Sequence, residues 1–117
     1  MKRLLVSLMT LCAILFTTSA SIASERADSA WALIGDGALL VDVRTPQEFN
    51  VRHLDAAVNY PLNTINSSFA HIDKDQLIVL YCRSGNRSGQ AEAHLQAAGF
   101  TNLHNGGGLN EMLAAKP

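Results

Sequence analysis

Residues Cys82, Arg83, Ser84, Gly85, Asn86, Arg87 and Ser88 set one thiol at the head of a short polar stretch that carries two arginines. A thiolate, not a thiol, is the nucleophile, and an unassisted cysteine is mostly protonated at neutral pH. Arg83 and Arg87 favour the anion by Coulomb attraction. A helix beginning near Ser88 adds partial positive charge and the unpaired N–H groups of its first turn. Ser84, Gly85 and Asn86 are short enough for the backbone to curl around an anion and turn several N–H groups inward. One geometry then activates sulfur and binds an oxyanion beside it. An inert buried cysteine explains neither the arginines nor the small residues.

Two reaction classes use such a cradle. Phosphatases that work through a cysteinyl-phosphate need Cys-x5-Arg, a loop that fits a tetrahedral phosphoryl group. Here Arg87 follows Cys82 after four residues, and Ser88 stands where the phosphatase arginine belongs. The tighter loop favours attack on sulfur. The product is a persulfide, Cys–S–S⁻, whose charge amide donors stabilise in the manner of an oxyanion hole.

The elements around this stretch must hold it still. Gln76–Cys82 (QLIVLYC) reads as the clearest strand, and a helix is predicted from Ser88 to Ala98, with Ala91, Leu95 and Ala98 on one face and Gly99 as its stop. Upstream, residues 24–37 suggest a helix with Asp28 as N-cap and Gly35 as its end. Ala38–Val43 suits a buried strand, and Thr45–His53 a helix with Thr45 as N-cap and Pro46 in its first position. Ala56–Leu62 reads as a short strand, and 63–74 as a weak helix presenting Ile65, Phe69 and Ile72. "FTNLHN" is a last strand, Gly106–Gly108 a tight turn, and the final residues a helix. Strands alternating with helices predict an α/β doubly wound domain, its central sheet mostly parallel and flanked by helices on both faces. Ligands of such sheets bind beyond the carboxyl ends of the strands, where Cys82 lies.

The bulk numbers narrow the setting. The chain has 117 residues, room for one small domain. Lys2 and Arg3 precede an apolar run, Leu4–Phe16, broken only by Ser7 and Thr10; small residues follow, with cleavage expected after Ala23 or, second, after Ala20. The apolar run falls short of the roughly 20 residues a membrane span needs. Residues 1–23 are therefore predicted to be a cleaved export signal and 24–117 the folded domain, placed in the periplasm. Loss of Lys2 and Arg3 leaves seven basic residues against ten acidic, a net charge of −3 that argues against nucleic-acid or membrane-surface partners. Cys12 falls within the signal and follows Leu11, unlike a lipid-attachment cysteine. Cys82 is then the single thiol of the mature chain and has no internal disulfide partner.

Four segments in order carry a family likeness. They are "DVRTPQEF" (42–49), "RHLDAAVNYP" (52–61), "YCRSGNRSGQAEAHLQAAGF" (81–100) and "NLHNGGGL" (102–109). Together they resemble the single-domain rhodanese family, in particular its small exported thiosulfate sulfurtransferases, over roughly Leu39 to Leu113. The resemblance implies that Cys82 accepts sulfane sulfur from thiosulfate or a similar donor and passes it to cyanide or a thiol. Arg83, Ser84, Gly85, Asn86 and Arg87 complete the active loop, with Ser88 next to it as a further binding residue. Arg87 is expected to steady the loop and the bound anion, and Arg83, more exposed, to guide a dianion. Asp42 and Arg44 belong to a motif of mainly structural role, with Arg44 able to reach the rim. No cofactor or metal is implied; the expected partners are a small sulfur donor and a thiophilic acceptor. Two other readings stay open: a persulfide carrier with little turnover, and a phosphatase- or arsenate-reductase-like enzyme.

The likeness has departures. Glycines expected at 52 and 56 are Arg52 and Ala56, which predicts a turn of different backbone, because alanine resists positive φ. A tryptophan often found after the glycine turn is Met112. His53, His71, His94 and His104 are scattered, and no base is needed for a nucleophile that its loop already ionises. Gly106–Gly108 lacks the spacing and lysine of a nucleotide loop. Asp73, Lys74 and Asp75 read as a solvated loop, and Trp31 as a core residue.

Overall fold

The computed structural model describes residues 24–117; the expected signal segment, 1–23, lies outside the described residues. Five α-helices and four strands alternate: α1 Glu25–Gly35, β1 Leu39–Asp42, α2 Pro46–Val51, β2 Val58–Asn59, α3 Ile65–Ser68, β3 Ile78–Cys82, α4 Asn86–Ala97, β4 Leu103–Gly108 and α5 Leu109–Ala114, with one 3₁₀ turn, Leu62–Thr64, before α3. The strands form one sheet in the order β2-β1-β3-β4, and every pairing is parallel. The chain winds outward in both directions from β1 and β3, so the switch point lies between their carboxyl ends. That is where Asp42 and Cys82 stand.

Both faces of the sheet are covered, as a parallel sheet requires. Val41, Ile78, Leu80 and Cys82 face one layer, against Ile65 and Phe69 from α3 and its end and Ala91 and Leu95 from α4. Leu40, Val79 and Tyr81 face the other, against Ala27 and Ala30 of α1 and Leu109 and Met112 of α5. Every residue of β3 is buried, which explains its unbroken apolar run. Trp31 packs at the edge of the second layer and donates its indole N–H to the Met112 carbonyl at 2.7 Å.

Several boundaries differ from the sequence reading, each for a local reason. α1 begins a turn early: Ser24, not Asp28, is the N-cap, its hydroxyl accepting the Ala27 N–H at 3.2 Å. Asp28 lies inside the first turn, where its charge suits the helix dipole. α4 starts at Asn86 rather than Ser88, because Gly85 at φ +92° turns the chain directly into the helix. Ala98, expected on its buried face, is exposed. Gly106–Gly108 is not a turn before α5 but the end of β4 itself. A bulge there pairs Leu80 with Asn105 and Tyr81 with Gly107, leaving Gly106 unpaired; Gly107 takes φ +102°.

The turn at 52–57 is also a correction. Ala56 does adopt the left-handed conformation, at φ +65°, as a glycine would. Its neighbours leave it little choice. Arg44 Nη2 donates to the Arg52 carbonyl at 2.6 Å, and the Leu54 N–H donates to the buried Tyr81 hydroxyl at 3.0 Å. Residue 52 needs no glycine, since its φ of −165° is ordinary extended backbone.

Candidate active site

Cys82 ends β3 with its sulfur buried, and the chain turns over it at once. The Gly85 N–H donates to Sγ at 3.0 Å, and Ser88 Oγ lies 3.3 Å from it. Burial alone would push the thiol up. The Ser88 hydroxyl and the N–H groups of Ser88, Ser84 and Gly85 outweigh burial and leave Cys82 below the usual thiol range. The cradle inferred from small residues is therefore present, and amides and one hydroxyl lower the thiol more than the neighbouring arginines do.

The two arginines are placed differently. Arg83 points to solvent and makes no side-chain hydrogen bond among the described residues; with Arg44, Glu48, Val51 and Arg52 it lines a groove of about 360 Å³. Arg87 is half-buried, and its two terminal nitrogens meet the Glu48 carboxylate at 2.7 and 3.0 Å. This two-pronged pair ties the first turn of α4 to α2. It holds the Glu48 carboxyl down to about 2, aided by the Thr45 N–H. Glu48 is itself positioned by the helix start, where Thr45 Oγ1 accepts the Glu48 N–H and the Glu48 side chain reaches back to Thr45. A second cavity, of about 620 Å³, is lined by Val43, Pro46, Pro61, Leu62 and Arg87, so each partner of the ion pair borders one of the two recesses.

Asp42 and Arg44 form a buried pair, with Arg44 Nε and Nη2 on the Asp42 carboxylate at 2.7–3.0 Å. Burial opposes the guanidinium charge, and Asp42 more than restores it. The pair is buried at the end of β1, and Arg44 also lines the groove that Arg83 borders. Asn86 opens α4 with its side chain accepting from Gln90 at 3.1 Å, and it is exposed. His53, His94 and His104 commit ring nitrogens to the Phe49 carbonyl, Asn66 Oδ1 and the Arg26 carbonyl.

Four residues that the sequence reading passed over also build the loop. Asn105 accepts from Ser88 Oγ at 2.7 Å and donates to the Gly85 carbonyl at 2.9 Å. A Cβ on Gly108 would sit 2.2 Å from the Arg83 carbonyl oxygen, so only glycine lets β4 pass beneath the loop. Arg26 and Glu111 pair at 2.6 Å beside Ser84 and Gly85. Asn105 and Gly108 fall within the recognised "NLHNGGGL" segment; nothing in local sequence marks Arg26.

A family model described as "Rhodanese-like domain" matches residues 26–115. The chain belongs to this rhodanese-like family. Over 78 residues it is 35% identical to Thiosulfate sulfurtransferase PspE of Escherichia coli (strain K12), covering 65% of this chain and 75% of that protein. It is 39% identical over 82 residues to the probable adenylyltransferase/sulfurtransferase MoeZ of Mycobacterium tuberculosis, but that match spans only 21% of the longer protein. A solved structure described as rhodanese with anions from E. coli superposes with a TM-score of 0.58 at 34% identity, covering 63% of this chain and 89% of that one. The rhodanese-like match thus takes in every element that touches the Cys82 loop, from α1 to α5.

Proposed function

We propose that this rhodanese-like domain is a thiosulfate sulfurtransferase whose nucleophile is Cys82. The observation that carries the reading is the Cys82 sulfur itself, which meets the Gly85 N–H at 3.0 Å and the Ser88 hydroxyl at 3.3 Å; the four residues between Cys82 and Arg87, one fewer than the phosphatase pattern, favour attack on sulfur. The Cys82 thiolate attacks the outer sulfur of thiosulfate; the S–S bond of the donor breaks and sulfite leaves with its electron pair. The persulfide Cys82–S–S⁻ then gives its outer sulfur to cyanide or a thiol, and the thiolate is regenerated. Charge balances in both half-reactions, and the cycle is covalent catalysis with two products released in turn. Arg83, exposed at the groove, attracts the dianion, while Ser84, Gly85, Asn86, Arg87 and Ser88 shape its seat. The mature protein works in the periplasm on small molecules, after removal of residues 1–23.

Thiocyanate release from thiosulfate and cyanide tests the reading, together with a mass gain of one sulfur on donor treatment. Cys82→Ser is expected to abolish both. A protein that gains the sulfur but turns over negligibly is a persulfide carrier; one that does neither is not a sulfurtransferase. The N-terminal sequence of the secreted protein tests the location.

A further inference from the structure

We propose that Arg26 is a positioning residue for the Cys82 loop: it reaches from α1 to hold the Ser84 carbonyl, and so keeps the Gly85 N–H turned to the sulfur. The Ser84 carbonyl and the Gly85 N–H belong to one peptide unit. In a trans peptide these two groups point in opposite directions. Arg26 Nη2 donates to the Ser84 oxygen at 3.1 Å, while the Gly85 N–H donates to Cys82 Sγ at 3.0 Å on the other side. Fixing one end fixes the other. The lock matters because glycine permits either orientation of this peptide, and the reversed one would aim a carbonyl oxygen at a thiolate.

The guanidinium also covers the loop. A Cβ on Gly85 would lie 2.7 Å from both terminal nitrogens of Arg26 and 2.9 Å from its Cζ. Gly85 is favoured by its φ of +92°, and a side chain there would also displace the Arg26 guanidinium.

Arg26 is held rigid in turn. Its Nε and Nη2 meet the two Glu111 oxygens at 2.6 and 2.7 Å, the planar fork geometry that a lysine cannot reproduce. Glu111 also accepts from the Ser24 hydroxyl and, at 3.1 Å, from the Gly108 N–H. These bonds hold its carboxyl down to about 2, with Arg26 the largest cause. The first helix and the last therefore meet over the loop, and the Arg26 guanidinium is pushed up chiefly by its bond to Glu111 and, to a smaller degree, by the nearby Cys82 charge, against the opposing effect of burial.

The proposal rests on the sulfurtransferase reading only for its effect on turnover. Its test is the rate of Cys82 alkylation by iodoacetamide from pH 5 to 9, in the unaltered protein and in Arg26→Ala, Arg26→Lys and Glu111→Gln, with folding followed by circular dichroism. Arg26→Ala is expected to move the alkylation profile to higher pH and slow alkylation at neutral pH roughly threefold or more, the scale of a partly exposed charge contact. Arg26→Lys restores charge without the fork and is expected to recover only part of the rate. Thiocyanate release should fall in the same order. A folded Arg26→Ala protein with an unchanged profile overturns the proposal. If that variant does not fold, unchanged profiles in both Arg26→Lys and Glu111→Gln overturn it. A shifted profile in a protein whose unaltered form releases no thiocyanate leaves the lock standing and removes the sulfurtransferase reading.

Discussion

Ser88 Oγ stands 3.3 Å from Cys82 Sγ and 2.7 Å from Asn105 Oδ1, and it has one proton to give. The Asn105 amide and the ionised sulfur therefore compete for it. With Cys82 protonated, the shorter bond to Asn105 is the better one. When the sulfur ionises, turning the hydroxyl toward it stabilises the anion, and Asn105 Oδ1 keeps the Gly107 N–H at 3.0 Å as its donor. Asn105 thus remains satisfied in both states.

Ser88→Ala removes the largest of the interactions that lower the Cys82 thiol. A hydrogen bond to a charged group is worth about 1.5–3 kcal/mol, and competition with Asn105 puts this one at the low end. Alkylation of Cys82 at neutral pH is expected to slow roughly tenfold, with its pH profile displaced upward. A stopped-flow or mass-spectrometric rate measurement across pH reads this directly.

Gly108→Ala forces a methyl carbon against the Arg83 carbonyl, where the available distance is 2.2 Å. Either the loop lifts off Cys82 or β4 withdraws. Overpacking of this kind costs about 1–3 kcal/mol of stability, and the loss of activity should exceed it because the displaced atoms are the cradle. A melt combined with the thiocyanate assay separates the two effects.

The acid side of the stability profile belongs to Glu48 and Glu111, both held down to about 2 by their arginines. A carboxylate whose folded pKa is depressed contributes stability that is complete above its unfolded pKa and is lost as pH falls toward the folded value. Stability is therefore expected to decline between about pH 4.5 and pH 2 as these two groups protonate. Glu48→Gln and Glu111→Gln should each flatten that decline. Because both Glu48 and Arg87 are about a third exposed, Glu48→Gln should cost less than about 1 kcal/mol at neutral pH. Denaturant midpoints from pH 7 to 2.5 measure both expectations.

Ala56→Gly relieves the left-handed alanine at φ +65°. Relief is worth about 1–2 kcal/mol, and the greater freedom of glycine in the unfolded chain returns about 0.4–1 kcal/mol. A net gain of roughly 0.5–1 kcal/mol is expected, with unchanged sulfur transfer. A higher urea midpoint at constant slope would record it.

Much of the fold was legible because its signals are local. The unbroken apolar run of β3, the Thr45-Pro46 start of α2 and the Gly99 stop of α4 each follow from neighbouring residues alone. So did the position of the cysteine: a strand of buried residues leading into small polar ones places Cys82 at a strand end. The start of α4 was misplaced because Asn86 and Arg87 look like loop residues, and only the left-handed Gly85 brings them into the helix. Ala56 was misjudged for a related reason. Intrinsic preference opposes its conformation, and the bonds to Arg52 and Leu54 that impose it come from Arg44 and Tyr81 on other elements.

By itself, then, the sequence determined a parallel α/β domain with one thiol at a strand end and a loop four residues long before its arginine. Those features depend on residue order and on short-range sterics. Only the tertiary structure decided what each charged group does. Arg87 turns to Glu48 across 39 positions, and Arg26 and Glu111 meet across 85 to close over Ser84. Pairings at such separation leave no local pattern, because they form when the sheet brings α1, α2 and α5 around one crevice. The thiol is set by its own loop; the loop is held by the rest of the fold.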